Sequence, residues 1–127
     1  MGFTDKEGAP ELELVKELSL AELASRTQAM AQDALLLIQR FLAKQLTIDE
    51  LSDRLRALDA SSLLTANWKV LTGDSKGVAV LEILQLIAFL PEEVAYQIER
   101  YGASSLADDR DQLLSGLGRL HGKSFPS

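Results

Sequence analysis

The side chains able to do chemistry in this sequence are carboxylates, and they come in pairs. Asp49 and Asp53 stand at i, i+4, as do Glu50 and Arg54, and Asp108 and Asp111 stand at i, i+3. Paired carboxylates on two helices are raw material for a metal site in a helical bundle, but such sites add Glu-x-x-His, which the sequence lacks. His121 is the only histidine and sits beside Gly122 near the C-terminus. A Ser-His-Asp triad needs a firmly held imidazole, and a multi-histidine metal centre needs several. The chain has no cysteine, so disulfides and thiolate metal sites are excluded and a reducing cytoplasm is permitted. It has neither a GxxxxGK[ST] phosphate loop nor a glycine fingerprint after a strand. The expectation is a protein without catalytic, cofactor-binding or metal-binding residues. Acidic residues in a first helical turn are ordinary partners of the helix dipole. Glu82 differs, because it interrupts the most apolar stretch of the chain. It must reach solvent on its own stripe or pair with an Arg or Lys of a neighbouring helix, since isolated burial would raise its pKa.

The stretch around Glu82, Gly77–Leu90, reads GVAVLEILQLIAFL. At 100° per residue, Glu82 and Gln85 share a narrow stripe with Val78 and Phe89. The remaining arc, with Val80, Leu81, Ile83, Leu84, Leu86, Ile87 and Leu90, is apolar and wide. Such a helix must be surrounded by other helices or by lipid. It is too short for a bilayer and closely flanked by charge, so it is expected to be the central helix of a soluble helical domain.

A chain of 127 residues fits one domain, long enough to bury a core without a staple. The net charge of −6 lacks the basic patch that nucleic acid requires and suits a basic partner, or solubility alone. The polar start MGFTDKEGAP has no apolar stretch of the signal-peptide kind, which fits a cytoplasmic location.

No stretch alternates with period two for long enough to form a strand, so the fold class is all-α: a compact bundle of six or seven short helices around a central apolar helix. Residues 1–9 are expected to lack order, 10–120 to form a single helical domain, and 121–127 to fray. Pro10 opens a short helix with Leu14, Val15 and Leu18 on one side. Ser19–Glu22 is a capping box that starts a long helix whose face holds Leu20, Leu23, Ala24, Thr27, Met30, Ala31, Ala34, Leu35, Ile38, Phe41 and Leu42. Leu36 and Leu37 lie off that face and suggest a second contact. Thr47–Glu50 is another capping box, opening a helix to about Leu58 with Ile48, Leu51, Leu55 and Leu58 inward. Ser61 or Ser62 caps a helix with the stripe Leu64, Trp68 and Leu71, which Gly73 ends. Pro91, followed by Glu92 and Glu93, reads as a fresh helix start or a sharp kink. Val94, Ile98 and Tyr101 face inward up to Gly102. Ser105 caps a last helix with Leu106, Leu113, Leu114, Leu117 and Leu120. Gly73 and Gly116 both read as helix ends.

A shift of 43 residues aligns two halves: Asp49-Glu50-Leu51 on Glu92-Glu93-Val94, Ala60–Leu63 on Ala103–Leu106, and Val70–Gly73 on Leu113–Gly116. The halves are either duplicated three-helix units or helices that share a capping grammar without common descent. Trp68, Phe41, Phe89 and Tyr101 stand at core spacing, whereas Tyr96 lies off its stripe as an exposed interface anchor. Thr47–Leu71 resembles the helix-turn-helix of winged-helix regulators. Its second helix, however, carries Lys69 as its only cation and is otherwise apolar, against the needs of a DNA reader.

Leu36–Leu55, LLIQRFLAKQLTIDELSDRL, resembles the opening of bacterial immunity proteins of the colicin D type, where an amphipathic helix ends in a polar turn followed by an acid-started helix. The later order of an apolar helix, a Pro, a Tyr and a last charged helix also fits. The resemblance spans about two-thirds of the chain. The extra N-terminal sequence and a helix around Trp68 depart from it. It implies an acidic helical bundle that plugs the cationic site of a tRNA-cleaving toxin. By charge, the residues expected to meet such a basic partner are Asp49, Glu50, Asp53, Glu92, Glu93, Asp108 and Asp109, with Tyr96 as anchor. The function expected is that of a non-enzymatic protein-binding module, monomeric or homodimeric, with no nucleic-acid or membrane partner. A helical adaptor, a homodimeric structural protein and a helix-turn-helix regulator are the alternatives.

Overall fold

The computed structural model describes residues 18–73 and 75–121, so the expectations for residues 1–17, the Pro10 helix among them, and for residues 122–127 lie outside the described residues. The described chain is all-α. Helix α1 spans Leu20–Leu42, α2 Ile48–Ala57, α3 Ala60–Ala66, α4 Trp68–Thr72, α5 Val78–Tyr101 and α6 Leu106–His121, with 3-10 turns at Ser75–Gly77 and Ala103–Ser105.

Both capping boxes are formed. Ser19 Oγ accepts from the Glu22 N–H at 3.1 Å while Glu22 Oε1 accepts from the Ser19 N–H at 2.9 Å. Thr47 and Glu50 repeat the pattern at 3.1 and 2.9 Å. Two otherwise unpaired donors are thus satisfied at each helix start. The C-terminal end of α1 closes as a Schellman turn: Lys44 N–H donates to Phe41 O and Gln45 N–H to Arg40 O, with Lys44 in the left-handed region at φ 67°.

Helix α5 is central, packing against α1, α2, α3, α4 and α6. Its inward side is the apolar arc the wheel predicts, with Ala79, Val80, Ile83, Leu84, Ile87, Leu90 and Val94 buried. Around it lie Leu23, Ala31, Ala34 and Ile38 of α1, Leu51 and Leu55 of α2, Leu71 of α4, and Leu106, Leu113, Leu117 and Leu120 of α6.

Pro91 does not start a new helix. Helix α5 runs unbroken through it. The ring has no N–H to donate and crowds the preceding turn, which is costly in a helix interior. Two features tie Pro91 into the fold. Pro91 is buried among core side chains. Its carbonyl also accepts from the Ser52 hydroxyl of α2 at 2.9 Å, with the Arg56 guanidinium at 3.5 Å. Glu92 and Glu93 therefore sit mid-helix. Of the two halves related by the 43-residue shift, the first has a separate helix α2 where the second has the C-terminal half of α5.

The helix expected over Ser61–Leu71 is broken at Asn67. Asn67 is 1% exposed, and both ends of its amide are used: Nδ2 donates to Leu63 O at 2.9 Å, and Oδ1 accepts from Leu18 N–H at 2.8 Å. The break turns Asn67 and Leu71 inward and leaves Trp68 48% exposed, which corrects its assignment to the core. It also leaves the helix-turn-helix imitation with a second helix of only seven residues. The position before it, Asp59, is left-handed at φ 60° and makes no side-chain cap; Ser62 Oγ instead donates to Asp59 Oδ1 at 2.9 Å.

Gly116 is not a helix end but lies inside α6, where a Cβ would stand 2.8 Å from Ile83 Cγ1. Its missing side chain sets how closely α6 approaches α5. Gly102 ends α5 with φ 90° and ψ 163°, a conformation closed to L side chains. Ser105 uses its hydroxyl as a donor to Gly102 O at 2.8 Å, closing the turn into α6.

Candidate functional site

Turning the chain at Gly102 brings the C-terminal half of α5 against the first turns of α6. Between them lies an open groove lined by Glu92, Glu93, Tyr96, Gln97, Tyr101, Ser104, Asp108 and Asp109. Five residues expected from sequence to meet a partner, Glu92, Glu93, Tyr96, Asp108 and Asp109, are thereby gathered on one surface. Gln97 holds its floor: Nε2 donates to Asp109 Oδ2 at 2.6 Å and to Ser105 Oγ at 3.3 Å. Partial burial pushes the Asp109 carboxyl above its ordinary pKa. The Gln97 bond opposes that rise, and the negative charges of Asp108 and Glu93 add to it. Burial is the larger cause of the rise, and like charge the smaller.

The other three lie on α2, outside the groove. Asp53 connects to it through Arg56, whose Nη1 is 3.6 Å from Asp53 Oδ1 and whose Nη2 is 3.2 Å from Glu92 Oε2. Glu50 is occupied by its capping box, and the N–H of Thr47 is the main reason its carboxyl sits below the ordinary range. Asp49 is exposed in the first turn of α2.

Tyr96 is 59% exposed, in keeping with its place off the buried stripe. Tyr101 and Phe89, expected in the core, are 66% and 58% exposed. Tyr101 is the last residue of α5, beyond the reach of the packed helices. Phe89 belongs to the stripe of Val78, Glu82 and Gln85, and that stripe faces outward. Leu114, also expected inward, is exposed, because Leu113, Gly116 and Leu117 take the buried side of α6. Phe41 does pack against the core. The Arg100 guanidinium lies 6.0 Å from the Tyr96 ring centroid and 5.9 Å from that of Tyr101, so both rings already receive a cation at their faces. Glu82 is exposed and bonds Arg119 of α6 at 3.0 Å. Gln97, Tyr101 and Ser104 were missed by sequence reasoning. The usable signal was Gly102, a chain reversal that must fold its flanks onto one another.

Among the described residues, no three His, Asp or Glu side chains converge as a metal ion would require. His121 is exposed at the end of α6. No described helix is long and apolar enough to cross a membrane. Helix α1 leaves Leu36 55% exposed, whereas Leu37 packs partly against the core. Comparisons with protein-family models, with curated proteins and with solved structures found no match to this chain.

Proposed function

We propose that the chain is a non-enzymatic protein-binding module, most specifically an immunity protein that neutralises a basic nuclease toxin in the bacterial cytoplasm by occluding its active site. The observation that carries this reading is the convergence of Glu92, Glu93, Asp108 and Asp109, flanked by Tyr96 and Tyr101, on one open groove. A nuclease must present cations to bind a phosphate backbone. An acidic groove steers such a surface inward and competes with its substrate for the same cations. Exposed tyrosines supply apolar area and rings able to stack on guanidinium groups. Asp53, joined to Glu92 through Arg56, and Asp49 and Glu50 beyond it form an acidic flank on α2. A compact bundle built from two duplicated three-helix units fits this reading, with α1, α2 and α3–α4 echoed by the two halves of α5 and by α6.

The test uses the nuclease domain of the toxin encoded beside this gene. A 1:1 complex that stops RNA cleavage, weakened by the pair Glu93→Gln and Asp108→Asn, is the expected result. Cleavage that continues at saturating excess of the protein, or a neighbouring gene with no nuclease toxin, overturns the reading. A homodimeric adaptor is favoured by one observation, exposed Leu36 on α1. Light scattering that finds a monomer at all concentrations removes it.

A further inference from the structure

The outer side of α5 carries Val78, Glu82, Gln85, Phe89, Glu92 and Tyr96, spaced 4-3-4-3-4. That spacing keeps the six residues on one face of α5, along which a second helix can lie. The seam runs about 27 Å at 1.5 Å per residue. Val78, Phe89 and Tyr96 on it are 45%, 58% and 59% exposed, although the opposite arc from Val80 to Val94 is buried. Between these apolar positions stand acids. Glu82 and Glu92 hold only exposed partners, Arg119 at 3.0 Å and Arg56 at 3.2 Å, and exposed pairs of this kind exchange at little cost.

The alternation decides what fits. A second copy laid antiparallel about the centre of the seam sets Glu82 against Glu92 of the copy. Laid parallel and in register, it sets each glutamate against itself. Either pairing places like charges at seam positions, which disfavours self-association. A helix with Lys or Arg opposite Glu82 and Glu92, apolar residues beside Val78, Phe89 and Tyr96, and a polar residue opposite Gln85 meets all six positions.

We propose that this seam of α5 docks a basic amphipathic helix of a partner protein. The proposal rests on the basic-partner reading above and adds the partner's secondary structure and the line along which it lies. The test titrates the full chain with a 21-residue helical peptide that alternates Lys and Leu at a/d positions with Ala and Gln elsewhere, and with a scrambled peptide of equal composition. The expected result is binding of the ordered peptide about tenfold or more tighter than the scramble, amide shifts along Val78, Phe89 and Tyr96, and about a tenfold loss on Phe89→Ala. Phe89 is exposed, so the variant keeps its circular dichroism spectrum. Equal binding of both peptides, unaffected by Phe89→Ala but weakened by Asp108→Asn, overturns the seam while leaving the basic-partner reading standing. Binding of neither peptide at low salt overturns both. A dimer that Phe89→Ala dissociates overturns the proposed occupant in favour of a second copy.

Discussion

Replacing Gly116 by alanine tests whether the contact between α5 and α6, which shapes the groove, is set by a missing side chain. Two effects compete. Alanine is the better helix former by about 1 kcal/mol in a helix interior. Against this, the new Cβ stands 2.8 Å from Ile83 Cγ1 and 3.3 Å from Cδ1. Carbon contacts are comfortable at roughly 3.5–4.0 Å. Ile83 is 2% exposed, and its Cγ1 is not the free end of a flexible chain. Relief requires a strained rotamer or separation of the helices, an overpacking cost of about 2 kcal/mol. Gly116→Ala is therefore expected to destabilise by about 1 kcal/mol in urea unfolding, the overpacking cost outweighing the propensity gain.

The sign reverses once the obstacle is gone. Ile83→Ala costs about 2–4 kcal/mol by itself, so the cycle is run in ammonium sulfate to keep each variant folded. In that background Gly116→Ala is expected to stabilise by about 1 kcal/mol, a coupling of about 2 kcal/mol across the pair. If Gly116→Ala stabilises with Ile83 present, or has the same effect in both backgrounds, close approach is not why glycine stands there.

Asn67→Ala leaves the partly buried Leu18 N–H without its acceptor and is expected to cost about 1 kcal/mol or more, exceeding the helix propensity gained. An unchanged urea midpoint refutes it. Burial raises the Asp109 pKa, so its contribution favours folding while it is protonated and is lost as pH rises through the raised value. Asp109→Asn, which keeps an oxygen for Gln97, should exceed the parent in stability at pH 7, by a margin that solvent screening keeps small. The gap should close near pH 3, and a gap that widens on acidification contradicts the assignment. Lys44 occupies the left-handed closing position of α1, so Lys44→Gly is expected to stabilise by about 0.5–1 kcal/mol, checked by thermal unfolding.

What the sequence revealed follows the range of the interactions involved. The boxes at Ser19 and Thr47 were legible because every atom of a capping box lies within four residues. The buried arc of α5 was legible because its periodicity is unbroken. Pro91 misled because the rule for proline in a helix is local, whereas the groups that serve its carbonyl, Ser52 and Arg56, are 39 and 35 residues away. The break at Asn67 was hidden for the same reason: its acceptor oxygen meets a backbone N–H 49 residues earlier. Gly116 looks like a helix stop until Ile83 is placed opposite it.

The aromatics carry the same lesson into function. Spacing assigns a residue to a face of its helix, but does not say which face the fold covers. Phe89 shares its stripe with Glu82 and Gln85, and Tyr101 directly precedes the Gly102 reversal. Both neighbourhoods point to solvent more firmly than an aromatic ring points to a core. Burying Phe89 would draw Glu82 and Gln85 from water with it, a penalty larger than one ring's burial returns. The chain instead leaves three aromatic side chains, Phe89, Tyr96 and Tyr101, more than half exposed on the helix that supplies its core. Folding gains little from that exposure, and the neighbouring Glu93 sets its charge beside that of Asp109. Such a combination is worth its cost to stability where a partner brings both the apolar surface and the cations.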